Sequence, residues 1–121
     1  MKRTLLLLLV IAAGRVEAHH RLSETYEESR EVTIAGQVTQ WVYREPHSFV
    51  LVEIRNGNQT EQWIVEGPGA RAWSRTGVDP QVLRIGDRVT VTGYPGRVPG
   101  ERRLLLRTIV RPQDGWRWAI R

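Results

Sequence analysis

Residues 32–42 read VTIAGQVTQWV, and apolar side chains recur at every second position through most of this stretch. One predicted face of the extended chain carries Val32, Ile34, Gly36, Val38 and Val42. The opposite face carries Thr33, Gln37 and Thr39. An alternation with a period of two is the pattern of a half-buried β-strand. The glycine inside the run indicates a bend or a bulge, so we expect a long, curved first strand.

Four further strands are predicted after the first. They run from Ser48 to Ile54, from Thr60 to Glu66, from Arg88 to Gly93 and from Arg103 to Arg111. Between the second and third strands, an Asn-Gly-Asn turn at residues 56–58 is typical of a β-hairpin. The expected inward residues of the third and fifth strands are Trp63, Val65, Leu104, Leu106 and Val110.

A short helix is predicted between the third and fourth strands. Residues 68–75 have helical character, and Asp79 with Pro80 starts a further turn through Leu83. Three strands, a helix and two strands, joined by glycine-rich connections, predict an all-β fold: a five-stranded Greek-key barrel of the OB type. Trp116, Trp118 and Ile120 recur at spacing two, so the tail is expected to add an edge strand.

The first 18 residues have the composition of a cleavable signal peptide. A positive start is followed by an apolar run over residues 5–13 and by the small-residue exit Val16-Glu17-Ala18. Nine apolar residues are too few to span a bilayer, which takes roughly 20 in a helix, so no stable membrane insertion is expected. Cleavage after Ala18 would make His19 the first residue of a periplasmic or secreted protein.

The remaining chain divides into a polar arm and one domain. Residues 19–30 lack a sustained hydrophobic period and are expected to lead into a barrel domain over residues 31–121. Because the leader removes three basic residues and one acidic residue, the formal charge falls from +5 to +3. The sequence has no cysteine, which excludes disulfides, thiolate metal sites and cysteine nucleophiles.

Several short motifs together resemble a known family. They are His19-His20 after an alanine cleavage site, Pro46-His47 before the second strand, Trp63-x-x-Glu66-Gly67, and Gly86-Asp87-x-Val-x-Val-x-Gly93-Tyr94-Pro95. This set resembles the exported bacterial family catalogued as domain of unknown function family 6152. The resemblance implies export and an OB-like fold, and it implies no activity. Glu45 stands where that family usually has Asn, and Arg21-Leu22 where it usually has Ser-Phe.

The three histidines form the first candidate site. His19 and His20 begin the arm, and His47 lies in the loop that opens the second strand. An N-terminal histidine offers its amine and Nδ1 as a chelating pair, and a further imidazole completes a nitrogen-rich site suited to Cu(II) or, less well, Zn(II). Glu66 is expected either as an oxygen ligand or as the partner that fixes an imidazole tautomer. Solvated histidines with no metal are the alternative.

A basic and aromatic face forms the second candidate site. It comprises Arg103, Arg107 and Arg111 of the fifth strand, with Trp41 and Tyr43 placed on the outward face of the first strand. Such faces bind oligonucleotides or oligosaccharides in OB barrels. Because the expected compartment holds little nucleic acid, the interpretation is a glycan or protein partner of the envelope, with no nucleic acid. An arginine ladder that only prevents edge aggregation is the alternative.

No catalytic or cofactor-binding residues are predicted. Ser48 follows His47 directly, and neighbouring residues of a strand point to opposite faces, so the two cannot form a nucleophile and base pair. The chain has no phosphate-cradling glycine loop. We therefore expect a binding module, with copper as the one cofactor to consider.

Overall fold

The structure is a computed structural model that describes residues 21–121. The predicted signal peptide, His19 and His20 lie outside the described residues. Within the described part, no helix is long and apolar enough to cross a membrane.

Six strands and one short helix follow one another along the chain. They are β1 (Val32–Val42), β2 (Ser48–Asn56), β3 (Gln59–Gly67), α1 (Ala70–Arg75), β4 (Arg88–Pro95), β5 (Arg103–Arg111) and β6 (Trp116–Ala119). The sheet order is β3-β2-β1-β4-β5-β6, and a parallel pairing of β3 with β5 closes the first five strands into a barrel. The five predicted strands and the helix between the third and fourth are thereby confirmed, and the tail forms the expected edge strand.

The core lies inside the barrel and is built mainly from β-branched and leucine side chains. Its fully buried members include Val38, Val50, Val52, Val65, Val89, Val91, Leu104 and Ile109. Trp73 of α1 is also fully buried and packs at one end of this core. The short helix therefore contributes one large aromatic side chain to the core, and its burial brings a large apolar area out of water.

A β-bulge in β1 changes which of its residues face inward. Val38 pairs with Val52 and Gln40 with Leu51, so Thr39 is an extra residue on β1. Beyond the bulge Trp41 pairs with Val50. Cross-strand partners share a face, so Trp41 lies on the inner face and Val42 on the outer one. The prediction that placed Val42 inward and Trp41 outward is therefore wrong.

A second bulge, in β5, has the same effect near the other end of the chain. Thr92 pairs with Thr108 and Gly93 with Leu106, which leaves Arg107 as the extra residue. Alternation restarts after it, so Ile109 is fully buried whereas Val110 is only partly buried. Leu104 and Leu106 face inward as predicted, and the expectation for Val110 is corrected.

The polar arm folds onto the barrel instead of only leading into it. Residues 21–25 are helical, and Tyr26 then forms an isolated bridge with Gly96 in the connection between β4 and β5. Arg97 N–H donates to the Thr25 carbonyl at 2.9 Å, and Glu27 N–H donates to the Pro95 carbonyl at 2.9 Å. The Tyr26 side chain is fully buried by this contact.

Gly93 allows the close approach of β4 and β5 at the second bulge. A Cβ added there would lie 2.3 Å from the Leu105 carbonyl oxygen, so the backbone would have to move. Intrinsic propensity alone favours alanine over glycine in a strand by about 0.5–1 kcal/mol. We nevertheless expect Gly93→Ala to lower the free energy of unfolding by about 1–3 kcal/mol, measured by urea denaturation.

The exposed residue Arg88 on the same strand provides the control. Arg88→Ala should change the free energy of unfolding by no more than about 0.5 kcal/mol. A Gly93→Ala variant at least as stable as the wild type would contradict the assignment of a backbone contact at the bulge.

Candidate functional site

Glu66 is the one charged side chain within residues 21–121 that is buried, with 8% relative exposure. It stands near the end of β3, on the face opposite the core residue Val65. Burying a carboxylate is costly unless its oxygen atoms accept hydrogen bonds or pair with cations. The partners of Glu66 therefore define the polar centre of this part of the barrel.

Both carboxylate oxygens of Glu66 are occupied. Oε1 lies 2.5 Å from Nδ1 of His47. Oε2 accepts a hydrogen bond from the hydroxyl of Tyr26 and lies 3.5 Å from Nη2 of Arg103. Three segments that are far apart in the sequence thus meet at one carboxylate: the arm, the loop before β2 and the start of β5.

Tyr26 and Arg103 support each other as well as Glu66. Arg103 Nε donates to the Tyr26 hydroxyl at 3.1 Å, and its guanidinium carbon lies 5.4 Å from the centre of the Tyr26 ring. Burial, reinforced by the hydrogen bond to Glu66, raises the pKa of Tyr26 above its ordinary value. Tyr26 is therefore protonated at neutral pH and donates to Glu66.

The loop before β2 is held at both of its ends, which fixes His47. The buried Ser48 hydroxyl contacts the backbone N–H and C=O of Arg44 at 3.1 and 3.2 Å. Glu45 accepts a hydrogen bond from the Arg71 N–H at 2.6 Å in the first turn of α1. This gives a structural role to Glu45, which stands where the resembled family usually has asparagine. His47 retains 35% side-chain exposure, so a solute can reach it.

A cavity of about 280 Å³ lies beside this centre. His47 and Glu66 line it together with Leu22 of the arm, Tyr94 of β4 and Arg107 of β5. A volume near the lower end of ordinary ligand pockets suits an ion with its ligands or a small molecule. The cavity wall is shared between arm and barrel, so its shape depends on the docking of the arm.

Two of the four residues predicted for the metal site, His47 and Glu66, lie together in the structure. His47 and Glu66 are in contact, and the tautomer-fixing role is the one the geometry favours for Glu66, because its Oε1 is bonded to the ring nitrogen. His19 and His20 lie outside the described residues. Among residues 21–121 no three histidine or acidic side chains are grouped closely enough to hold a metal ion by themselves.

The residues of the predicted basic face lie apart. Arg103 is directed to Glu66, whereas Arg111 pairs with Asp87 at 2.9 Å and with Asp114 at 2.8 Å. Because the bulge at Arg107 inverts the alternation, Arg103 and Arg111 lie on opposite faces of β5. Arg107 stacks over the ring of Tyr94, with 5.1 Å between its guanidinium carbon and the ring centre.

The two aromatic residues assigned to that face pack against α1 and the loop after it. The Trp41 ring centre is 5.7 Å from that of Trp73, and Trp41 Nε1 donates to the Pro80 carbonyl at 3.1 Å. The Tyr43 hydroxyl lies 3.0 and 2.8 Å from the carbonyl oxygens of Ala70 and Val78. Both side chains are thus engaged by α1 and the loop after it, whereas Arg103 is directed to Glu66.

Tyr26 is the residue of this centre that the sequence interpretation missed. The arm is polar overall, and that composition concealed its docking. One signal was present: Leu22 and Tyr26 are four residues apart, which places two apolar side chains on the same face of a helical turn. Leu22 lines the cavity and Tyr26 is buried, as that spacing favours.

Removal of the Tyr26 hydroxyl tests how much the centre contributes to stability. Tyr26→Phe leaves the buried Glu66 with one donor fewer, so we expect the free energy of unfolding to fall by about 1–3 kcal/mol in urea denaturation. Tyr94→Phe is the matched control, because within residues 21–121 the Tyr94 hydroxyl has no hydrogen-bond partner; its expected effect is within about 0.5 kcal/mol. Equal losses in the two variants would speak against the centre.

Comparison with a solved barrel establishes the OB fold. The mitochondrial single-stranded DNA binding protein Rim1 from S. cerevisiae superposes with a TM-score of 0.50 at 12% identity, over 69% of this chain and 93% of that chain. A small single-stranded DNA-binding protein from Streptomyces coelicolor superposes with a TM-score of 0.45 at 20% identity, over 70% and 94%.

One prediction has to be corrected in this light. Nucleic acid was excluded as a partner, and that exclusion is corrected, because the superposed structure Rim1 is that of a single-stranded DNA binding protein. At these identities the likeness itself concerns the fold alone.

Sequence comparison gives the family. A search of curated proteins found no match. The family of unknown function DUF6152 matches residues 7–104, which is most of the chain and includes Tyr26, His47, Glu66 and Arg103. The predicted resemblance is confirmed, and this OB-fold protein belongs to the family of unknown function DUF6152.

Proposed function

We propose that this protein is an exported binding module for one transition-metal ion, Cu(II) in the first instance. The ion would be held by Nε2 of His47 and by the histidines at the processed N terminus, His19 and His20. Glu66 would orient His47 without binding the ion itself. The observation that carries the proposal is the 2.5 Å contact between His47 Nδ1 and Glu66 Oε1.

This contact sets the tautomer of His47. When Glu66 is ionised its oxygen accepts, so Nδ1 carries the proton and Nε2 keeps a free lone pair. Histidine ligands of metals almost always donate their second ring N–H to a carboxylate, a carbonyl or a water molecule in this way. The carboxylate here is further held by Tyr26 and Arg103, so the imidazole is oriented before any ion arrives.

The docked arm supports the participation of the N-terminal histidines. Leu22 and His47 line the same cavity. His20 precedes Leu22 by two residues in the sequence. This short separation supports the participation of His20 and His19 in a site at the cavity.

The chemistry of the donor set favours copper. An amino group and imidazole nitrogens are strong ligands for Cu(II), which binds a given nitrogen site more tightly than the other first-row divalent ions. The chain has no cysteine, so no thiolate is available for a softer site. Export would supply both the free amine, by cleavage after Ala18, and a compartment in which periplasmic or extracellular copper is encountered.

The alternative function, a glycan or protein partner docked on Arg103, Arg107 and Arg111, has less support. Arg103 and Arg111 are committed to ion pairs with Glu66, Asp87 and Asp114. A partner would have to compete with carboxylates already in place. The histidine site requires no such exchange.

The proposal is tested by mass spectrometry and copper titration of the protein purified from the periplasm. We expect a first residue of His19, one bound Cu(II) per chain, and an affinity that falls at least about tenfold in His47→Ala. The copper affinity of Glu66→Gln should be about 10–100-fold lower, because the carboxylate charge that holds the His47 ring N–H is lost.

Glu61→Gln is the matched control: it removes another carboxylate from β3 and should leave the affinity for Cu(II) unchanged. Replacement of both His19 and His20 by serine tests the N-terminal ligands and should abolish tight binding. An unchanged affinity in His47→Ala would remove His47 from the site. A chain that begins at a residue other than His19 would remove the amine chelate.

A further inference from the structure

β6 gives the sheet an open edge. It pairs with β5 on one side only. A groove with a volume of about 760 Å³ runs between β6 and α1 and is lined by the consecutive residues 117–121 and by Ala72, Arg75 and Thr76. Successive side chains of a strand point to opposite faces, so a groove that touches every one of these residues follows the edge of the strand.

The backbone groups at this edge can be identified from the ladder. Ile120 N–H donates to the Arg107 carbonyl at 2.9 Å, towards β5. In an antiparallel pair the N–H and C=O of one residue point to the same side, and the side alternates along the strand. Arg117 and Ala119 therefore present both N–H and C=O away from β5, into the groove.

The groove is also strongly basic. Arg75, Arg117 and Arg121 line it, and it is lined by no acidic residue. All three side chains are exposed, and none has an ion pair or a side-chain hydrogen bond with any residue of the described part of the chain. This distinguishes them from Arg103 and Arg111, whose charges are neutralised by carboxylates.

The floor of the groove is packed against α1. The Trp118 ring centre lies 4.4 Å from that of the buried Trp73, and Trp118 Nε1 donates to the Thr76 hydroxyl at 3.0 Å. These contacts fix β6 against α1. The edge is thus held in an extended conformation before a partner arrives, which reduces the entropy lost on binding.

We propose that this groove, bounded by β6 and α1, is the docking site of an extended acidic peptide from a partner protein. The peptide adds as a further strand on β6 and places its carboxylates beside Arg75 and Arg117. A strand edge offers donors and acceptors in alternation, and a peptide backbone satisfies both kinds. A nucleic acid or an anionic glycan would satisfy the arginines but lacks the matching row of backbone groups. This site is independent of the copper site.

The test uses an eight-residue fluorescein-labelled peptide of alternating valine and glutamate, with fluorescence anisotropy as the readout. We expect saturable binding to the full processed protein, and no binding of the same peptide with lysine in place of glutamate. The double variant Arg75→Gln, Arg117→Gln should weaken binding about tenfold, since two partner charges are lost. The matched control, Arg55→Gln with Arg88→Gln, removes the same charge outside the groove and should bind like the wild type.

The strand-addition step is tested by Ala119→Pro. Proline removes one outward N–H from the edge and leaves every charge in place, and edge strands tolerate it. We expect peptide binding to be lost while circular dichroism and copper affinity stay unchanged. Wild-type peptide affinity in this variant overturns the proposal, and so does equal weakening in the two double arginine variants. A labelled oligothymidine that binds more tightly than the peptide, with an affinity that Ala119→Pro does not change, also overturns it.

A measurement on the wild-type protein provides a second test that does not depend on the folding of a variant. On addition of the peptide, amide hydrogen exchange should slow at Arg117 and Ala119, because these N–H groups become hydrogen-bonded. Unchanged exchange rates at both residues under saturating peptide would exclude strand addition at this edge.

Discussion

The parallel pairing of β3 with β5 is the constraint on which the other features depend. It joins strands that are separated by α1 and β4, closes the barrel, and sets Glu66 beside Leu105. The register pairs Arg103 with Ile64, so the start of β5 is brought to the end of β3. A buried carboxylate therefore meets a guanidinium where the barrel closes, and Tyr26 and His47 complete the centre from two other segments.

Much of this architecture follows from patterns of neighbouring residues. The alternation in VTIAGQVTQWV, the Asn-Gly-Asn turn and the segment of helical character each act locally, and the strands, the hairpin and the helix stand where those patterns place them. The contact of His47 with Glu66 could also be predicted, because His47 directly precedes β2 and Glu66 lies near the end of β3, which pairs with β2. Long-range docking of the arm was not accessible, since its polar composition is that of a solvated segment.

The two bulges explain the orientation errors. Shortly after each bulge two apolar residues are adjacent: Trp41 beside Val42 in β1, and Ile109 beside Val110 in β5. Either phase of the alternation then buries an apolar side chain, so the hydrophobic pattern does not distinguish them. Only the pairing with neighbouring strands decides. The apparent arginine ladder of β5 was a product of the same ambiguity, because one extra residue moves Arg111 to the face opposite Arg103.

The position of Tyr26 has a consequence for communication within the molecule. Its hydroxyl attaches the arm to the carboxylate that orients His47, so arm docking and the state of the imidazole share a single buried anion. A change in the docking of the arm then alters the interactions of the imidazole, and by thermodynamic linkage the influence is equal in both directions. The docking of residues 21–26 is thereby coupled to the mouth of the barrel.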